Sequence, residues 1–371
     1  MRTTTRLIFL LSVLAVMEFA SGEEGSVSPT WRKIPSNWAE TTNQVRAMIS
    51  TGGQLFVGTA GTVPDSAQVW KLVDGGWAKH AAFKALKTLV LQTDGAGNLF
   101  AGTGTPHSAE NSGVGHAEVW MIDRQGKKKR LGAFSKQDMA YSMVWFQGKL
   151  HVGMMSEDIA GNAEIWRFDD PGWTTFADHG INRWPAGNSY AGVYEMWVHD
   201  EALLAGTFSR TDGDGDVLKL TDGRWVDLHA PKSILALSFA SYRGQLVAAL
   251  SNSGGNHSNP VFVRHADETW QPLGTPPAQW KGAYIHNHMI VDGKEIYVGV
   301  GGTPGTLSVW KYDGARWTKL AGDGLYGSWP DPLVTQGAEW VYRLTLHQGK
   351  LYVGLASDRA PFQAQVWELT R

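Results

Sequence analysis

The 371-residue chain contains no cysteine. That excludes a cysteine nucleophile, thiolate metal sites, iron–sulfur chemistry and acylation at a processed cysteine, and the fold must stand without disulfides. An excess of one charge is missing too. Lys and Arg number 33 against 35 for Asp and Glu, a formal net charge of −2. No basic stripe runs along the chain, so nucleic acid is not an expected partner. The one basic run, Arg124 to Arg130 with Lys127, Lys128 and Lys129 inside it, reads as a solvated hairpin turn. No complete P-loop, dinucleotide fingerprint, zinc-protease motif or Gly-x-Ser-x-Gly elbow occurs. Long apolar runs are also lacking. The stretch from Leu7 to Val16 is too short for an ordinary membrane span, and no later stretch is long enough. Standing between Met1-Arg2 and Ala20-Ser21-Gly22, it reads as part of a signal peptide over 1–22. The expectation is a secreted or periplasmic monomer, 23–371, with no membrane span after cleavage.

What the chain does have is a repeat. Hydrophobic residues make up 43%, enough for a large core, and one phrase returns along the mature chain. Leu55-Phe56-Val57-Gly58 is followed by Val69-Trp70 and Trp77. Leu99-Phe100-Ala101-Gly102 is followed by Val119-Trp120, and Leu150-His151-Val152-Gly153 by Ile165-Trp166 and Trp173. Blunter copies run through Gly206, Leu218 and Trp225, then Ala249, Phe262 and Trp270. Clear copies return at Tyr297-Val298-Gly299 with Trp310 and Trp317, and at Tyr352-Val353-Gly354 with Trp367, where the last copy ends short. Thr30-Trp31 matches the piece that copy lacks. Each unit of roughly 40–50 residues holds four short strands. The expected fold is an all-β, seven-bladed β-propeller of four-stranded antiparallel blades, with the N-terminal strand completing the last blade. Asp74-Gly75, Asp222-Gly223 and Asp313-Gly314 mark tight hairpins between third and fourth strands. The repeated tryptophans read as packing between blades.

In Gly-x-Leu-aromatic-Val-Gly and Val-Trp-x-x-x-Asp-Gly-x-Trp the chain resembles the tandem-repeat β-propellers, loosely the kelch-like and tryptophan-rich lectin propellers. The paired glycines of kelch repeats are missing. The resemblance implies the fold and carries no functional residue across.

Aligned on the second strands, the first strands place Arg46, Lys87, Ser142, Glu195, Ala236, His286 and Arg343 at a channel. Packing repeats should repeat their residues, and this ring does not. It reads either as a binding site for an anionic group or as a wet channel of paired charges. Glu195, His286 and Arg343 are the catalytic candidates. His286 and His288 share a strand face and, with Glu195, form a weak metal candidate. Tyr194 and Tyr342, beside ring positions, are turned away if strand alternation holds. Tyr284, which would share the His286 face, stays open as a catalytic tyrosine, with packing favoured. The loops before the first strands carry Trp38, Trp184, Trp280 and Trp329, either wedges between blades or platforms for sugar rings. Asp212, Asp214 and Asp216 alternate as in a calcium loop, but the EF-hand pattern fails at Val217 and Gly223. No cofactor is expected, with calcium at these aspartates the weak exception. The ligand-binding candidates are thus Arg46, Lys87, Trp184, Glu195, His286, His288, Trp329 and Arg343. The functional expectation is a secreted binder of carbohydrate or another polar ligand on the loop face. The alternatives are a polysaccharide lyase or glycoside hydrolase at the channel mouth, and a scaffold for an extracellular protein.

Overall fold

Each copy of the repeated phrase folds as a four-stranded antiparallel meander. The computed structural model describes residues 30–106, 116–156, 162–178, 184–185, 189–210, 214–233, 235–251, 261–280, 288–302, 306–322, 337–357 and 362–370. In the first unit Thr42–Thr51, Gln54–Gly61, Gln68–Val73 and Gly76–Ala82 pair in sequence order. The same pattern returns over 87–134, 139–177, 190–227, 235–272 and 289–322. A last unit combines Trp340–His347, Lys350–Ala356 and Gln365–Thr370 with Thr30–Ile34, which lies antiparallel beside Gln365–Thr370 and sets Trp31 opposite Leu369.

The backbone ladders correct the expectation of a seven-bladed propeller. They join 24 strands into one antiparallel sheet, leave the four strands of 289–322 as a sheet of their own, and close no sheet among the described residues. The cause is a set of single bridges between neighbouring units: Ala60 with Lys87, Gly104 with Met139, Met155 with Gly192, Phe208 with Leu235 and Gln44 with Ala356. The strands of the unit over 289–322 share no ladder with either neighbour among the described residues, although the Gly302 amide donates to the Glu339 carbonyl (2.7 Å) beside the following unit.

Side chains tie the units together where ladders do not. The indole of Trp31 donates to the Leu320 carbonyl (2.9 Å), Trp173 to Leu131 (2.8 Å), Trp270 to Leu228 (2.9 Å) and Trp317 to Leu273 (2.8 Å). Each of these fourth-strand tryptophans reaches back to the preceding unit. A buried indole of this kind contributes about 3 kcal/mol from its apolar area alone. In six of the seven units the second strand carries a glycine against which the next unit packs, and Ala249 takes its place in the fifth. A Cβ on Gly58 would stand 2.8 Å from the Thr88 side chain, and one on Gly153 2.8 Å from Val193.

First and second strands are joined by two-residue turns with both residues at positive φ. Gln147-Gly148 (49°, 72°), Arg243-Gly244 (51°, 77°) and Gln348-Gly349 (49°, 74°) are examples. That geometry matches the right-handed twist of the strands. It also leaves little chain standing above that end of the sheet.

Candidate functional site

The first strand of nearly every unit carries a β-bulge at one place. The register skips between Val45 and Ala47, Thr88 and Val90, Ala140 and Ser142, Val193 and Glu195, Ala236 and Ser238, and Val341 and Arg343. The residue after the bulge faces the second-strand glycine: Ala47 faces Gly58, Val90 Gly102, Ser142 Gly153, Glu195 Gly206 and Arg343 Gly354. In the fifth unit Ser238 faces Ala249, and in the sixth His288 stands one step before the pair Met289–Val298. These residues define one ring, a member from each unit.

A cavity of about 530 Å³ is lined by residues of all seven first strands, including Ala47, Val90, Ser142, Glu195, His288 and Arg343. Its walls rise through Met48, Leu91, Met143, Met196 and Met289. The far end is lined by Ser50, Gln92 and Trp197, all half-buried, and by the exposed Ser241. The cavity therefore opens towards the tight turns between first and second strands. Most of the long loops at the opposite face, where a site was expected, lie outside the described residues.

The residues skipped by the bulges gather at the other end. The Arg46 guanidinium lies 4.1 Å from the Tyr342 ring centre and donates to Gln44 Oε1 (2.6 Å) and the Tyr141 hydroxyl (3.4 Å). Tyr141 and Tyr194 rings meet at 4.5 Å, and Leu89 and Leu237 belong to the same buried cluster. A bulge breaks strict alternation. Of these residues Tyr141 lines the cavity, and Tyr194, Tyr342 and Arg46 pack against it and one another.

Electrostatics single out three ring members. Arg343 donates from Nε to the Arg46 carbonyl (2.5 Å) and from Nη2 to the Leu89 carbonyl (3.2 Å), which fixes its guanidinium. Burial pushes Arg343 down from its usual value, and the Glu195 carboxylate opposes that shift. Glu195 is pushed up to about 7 by burial, with Arg343 acting against it. It keeps intermediate exposure although deeply set, because it faces the cavity. No hydrogen-bond partner holds its carboxylate among the described residues. His288 is pushed down to about 3 by burial and by the Arg343 charge, and its Nδ1 has no hydrogen-bond partner. The ring thus presents an imidazole held neutral by burial, a carboxyl whose ionisation burial resists, and a fixed cation.

Several sequence assignments change. The ring member of the first unit is Ala47, with Arg46 packed against Tyr141 and Tyr342. Lys87 bridges to Ala60 and does not line the cavity, Val90 taking its place, and Ser238 replaces Ala236. His286, Tyr284, Trp329 and Asp212 lie outside the described residues. Trp184 is corrected from ligand contact to wedge. It is buried, donates to the Ala163 carbonyl (3.0 Å) and packs 5.4 Å from Trp225. Trp38 and Trp280 are buried in the same manner against Trp70 and Trp77, and against Trp310 and Trp317. Asp216 is pushed up to about 6, chiefly by burial, and accepts a hydrogen bond from the Tyr190 hydroxyl. No group of three metal-ligating side chains is found among the described residues. Tyr141, Gln92 and Trp197 were missed. The glycine closing Leu-Phe-Val-Gly was the available signal for the ring register, because it marks the residue opposite.

No family model matches the chain, and no curated protein matches it. Solved structures do. The chain is similar to the extracellular domain of BT4673 from B. thetaiotaomicron, in a structure assigned to a hybrid two component system, with a TM-score of 0.61, 10% identity and coverage of 91% of this chain and 39% of that one. A second structure of that domain, assigned to a one component system, gives a TM-score of 0.60 at 11% identity, covering 91% and 40%. At such identity the likeness shows a shared fold. The chain spans about two-fifths of the length of these structures. Neither is described as a kelch-like or tryptophan-rich lectin protein. No helix among the described residues is long and apolar enough to cross a membrane.

Proposed function

We propose that this chain is an exported ligand-binding protein whose central cavity takes a small polar ligand, in the first instance a carbohydrate. The observation that carries the reading is the composition of the ring. Ser142, Glu195, His288 and Arg343 line the cavity from four units, while Ala47 and Val90 do so from two others. Packing in a repeat asks for the same residue each time. A polar arc facing an apolar arc suits a molecule with hydroxyls on its edge and C–H groups on its faces, as in a sugar ring. Small-ligand sites run from about 300 to 1,000 Å³, and this cavity falls within that range. The leader-like residues 1–22 and the likeness to an extracellular domain support a place outside the cytoplasm.

A glycan array followed by calorimetric titration with the neutral sugars it selects tests the reading. Glu195→Gln and Ser142→Ala are expected to weaken binding by about tenfold or more, through buried polar groups of the ligand left without partners. Unchanged affinity in both variants would sink it.

A second reading, a polysaccharide lyase or hydrolase, is favoured by Glu195 alone. A carboxyl held at about 7 is suited to acid–base work. New reducing ends or unsaturated products from incubated polysaccharide, lost in Glu195→Gln, would select it over simple binding.

A further inference from the structure

We infer that the outer edge of the first two units is a second binding site, for an anionic polysaccharide, separate from the central cavity and independent of what the cavity takes. The argument begins with a broken pattern of ion pairs. On the third strand of the sixth unit Lys311 stands opposite Tyr297 and pairs with Glu295, two residues before it, at 2.7 Å. In the third unit Lys149 and Arg167 share Asp169 at 3.2 and 2.9 Å, and in the last unit Lys350 meets Glu368 at 2.9 Å. Lys71 of the first unit stands opposite Phe56 in the same register, and the place of the glutamate is taken by Gln54. Its charge is left uncompensated.

The same edge collects more cations of this kind. Among the described residues Lys71, Lys79, Arg124, Lys127, Lys128 and Lys129 have no carboxylate partner. Arg130 with Glu118, at 2.8 Å, is the ion pair found there. The acids of these turns make no ion pair with the cations: Asp123 accepts from the Gln125 and Lys127 amides at 3.0 and 2.8 Å, and Asp94 from the Ala96 and Asn98 amides at 2.8 and 3.1 Å. Set against Asp74, Asp94 and Asp123 on the same turns, these six cations leave a local excess of positive charge in a chain of net charge −2. The run from Arg124 to Arg130, read from sequence as a solvated turn, gains neighbours from another unit when the chain folds.

The shape suits a chain of sugars. A groove of about 350 Å³ between the units is lined by Lys71, His80 and Arg124, together with Thr51, Gln54 and Asp123. The His80 Nε2 has no hydrogen-bond partner. Aromatic rings support the cations from below. Lys79 lies 5.1 Å from the Trp70 ring centre, and Lys128 lies 5.1 and 5.2 Å from those of Phe83 and Trp120. Hydroxyl-bearing and amide groups interleaved with cations match carboxylates or sulfates spaced along a hydroxylated polymer. A lipid surface would ask for exposed apolar wedges beside the cations, and Val73 is the large exposed one on these strands.

Retention of the full chain on immobilised polygalacturonate, dextran sulfate and uncharged dextran tests the site, with anionic phospholipid vesicles as a further arm. Retention on at least one polyanion at low salt, lost at high salt, is expected, with none on dextran. The better polyanion tells carboxylate from sulfate recognition. The double variant Lys127→Glu/Lys129→Glu, whose side chains are exposed, should bind about tenfold more weakly, and Lys71→Gln less weakly than that. An unchanged melting temperature shows that the variants fold. No retention on either polyanion, equal retention of the double variant, or tighter binding to vesicles than to both polymers would overturn the inference. Loss of neutral-sugar binding in Glu195→Gln with polyanion retention intact separates this site from the cavity.

Discussion

The outer strands and the inner strands of this protein obey different rules. On the outer strands one residue type recurs: Trp31, Trp173, Trp270 and Trp317 donate to the unit before, Trp77 and Trp225 are buried at the same place without that hydrogen bond, and the second unit alone lacks the tryptophan. On the inner strands the ring position changes at almost every step, from Ala47 and Val90 through Ser142, Glu195, Ser238 and His288 to Arg343. The outer positions are filled by neighbours and can hold only what packs. The ring faces a cavity, so no neighbour dictates its chemistry. Repetition therefore marks packing, and its failure marks where a ligand can be read.

The sharpest way to break this contrast is to remove a wedge. Trp280→Ala and Trp184→Ala should each cost about 3–5 kcal/mol, as large-to-small changes at buried aromatic sites do. Denaturant midpoints would show it. Ligand affinity below the transition should stay as it was. A wedge variant that kept its stability and lost its ligand would return these tryptophans to the binding role.

The inner ring is probed by pH. Glu195 is raised to about 7, so its contribution to stability is complete below the ordinary carboxylate range and is lost as the pH rises through about 7. From an unfolded value of about 4.3, that loss is about 4 kcal/mol. His288 is lowered to about 3, so its contribution is complete above the ordinary imidazole value and is lost as the pH falls through about 3. Between about pH 4.5 and 6.5 the two slopes oppose each other. Glu195→Gln should then gain stability as the pH is raised across that interval, and His288→Phe should lose it. Parallel profiles in both variants would mean that the two groups do not titrate as buried cavity residues.

A smaller effect is expected where the inner strand of one unit meets the second strand of another. Gly153→Ala places a methyl 2.8 Å from Val193 and closer still to Ser142 Oγ, and should cost about 1–3 kcal/mol. The smallest effect belongs to the solvent edge. Lys127→Glu/Lys129→Glu should move stability by no more than about 0.5 kcal/mol, a limit that thermal melts can check. A large loss there would show that the basic turn is structural.

Much of the framework was readable from residues alone. The Leu-Phe-Val-Gly phrase fell on second strands and the Val-Trp pairs on third strands, because alternation and turn residues act locally. The ring was harder. Lys87 and Ala236 were set at the cavity because a strand was assumed to alternate without interruption. A bulge has no strong residue signature, and each one shifts the register of everything before it. The ladder connectivity was also beyond reach. Single bridges such as Ala60 with Lys87 depend on how closely two units approach, and they turned an expected set of separate blades into one broad sheet and one small one.

Sequence by itself determined the four-stranded unit, its recurrence, the tryptophans that recur with it and the absence of cysteine chemistry. Those follow from local alternation, turn chemistry and composition, which need no knowledge of distant residues. Only the tertiary structure decided that Glu195, His288 and Arg343 share one cavity, that Tyr141 at its lining packs with Tyr194 and Arg46, and that it opens beside the short turns. Those facts depend on bulges and on contacts between residues far apart in the chain, where the environment of a charge is set by what the fold packs around it.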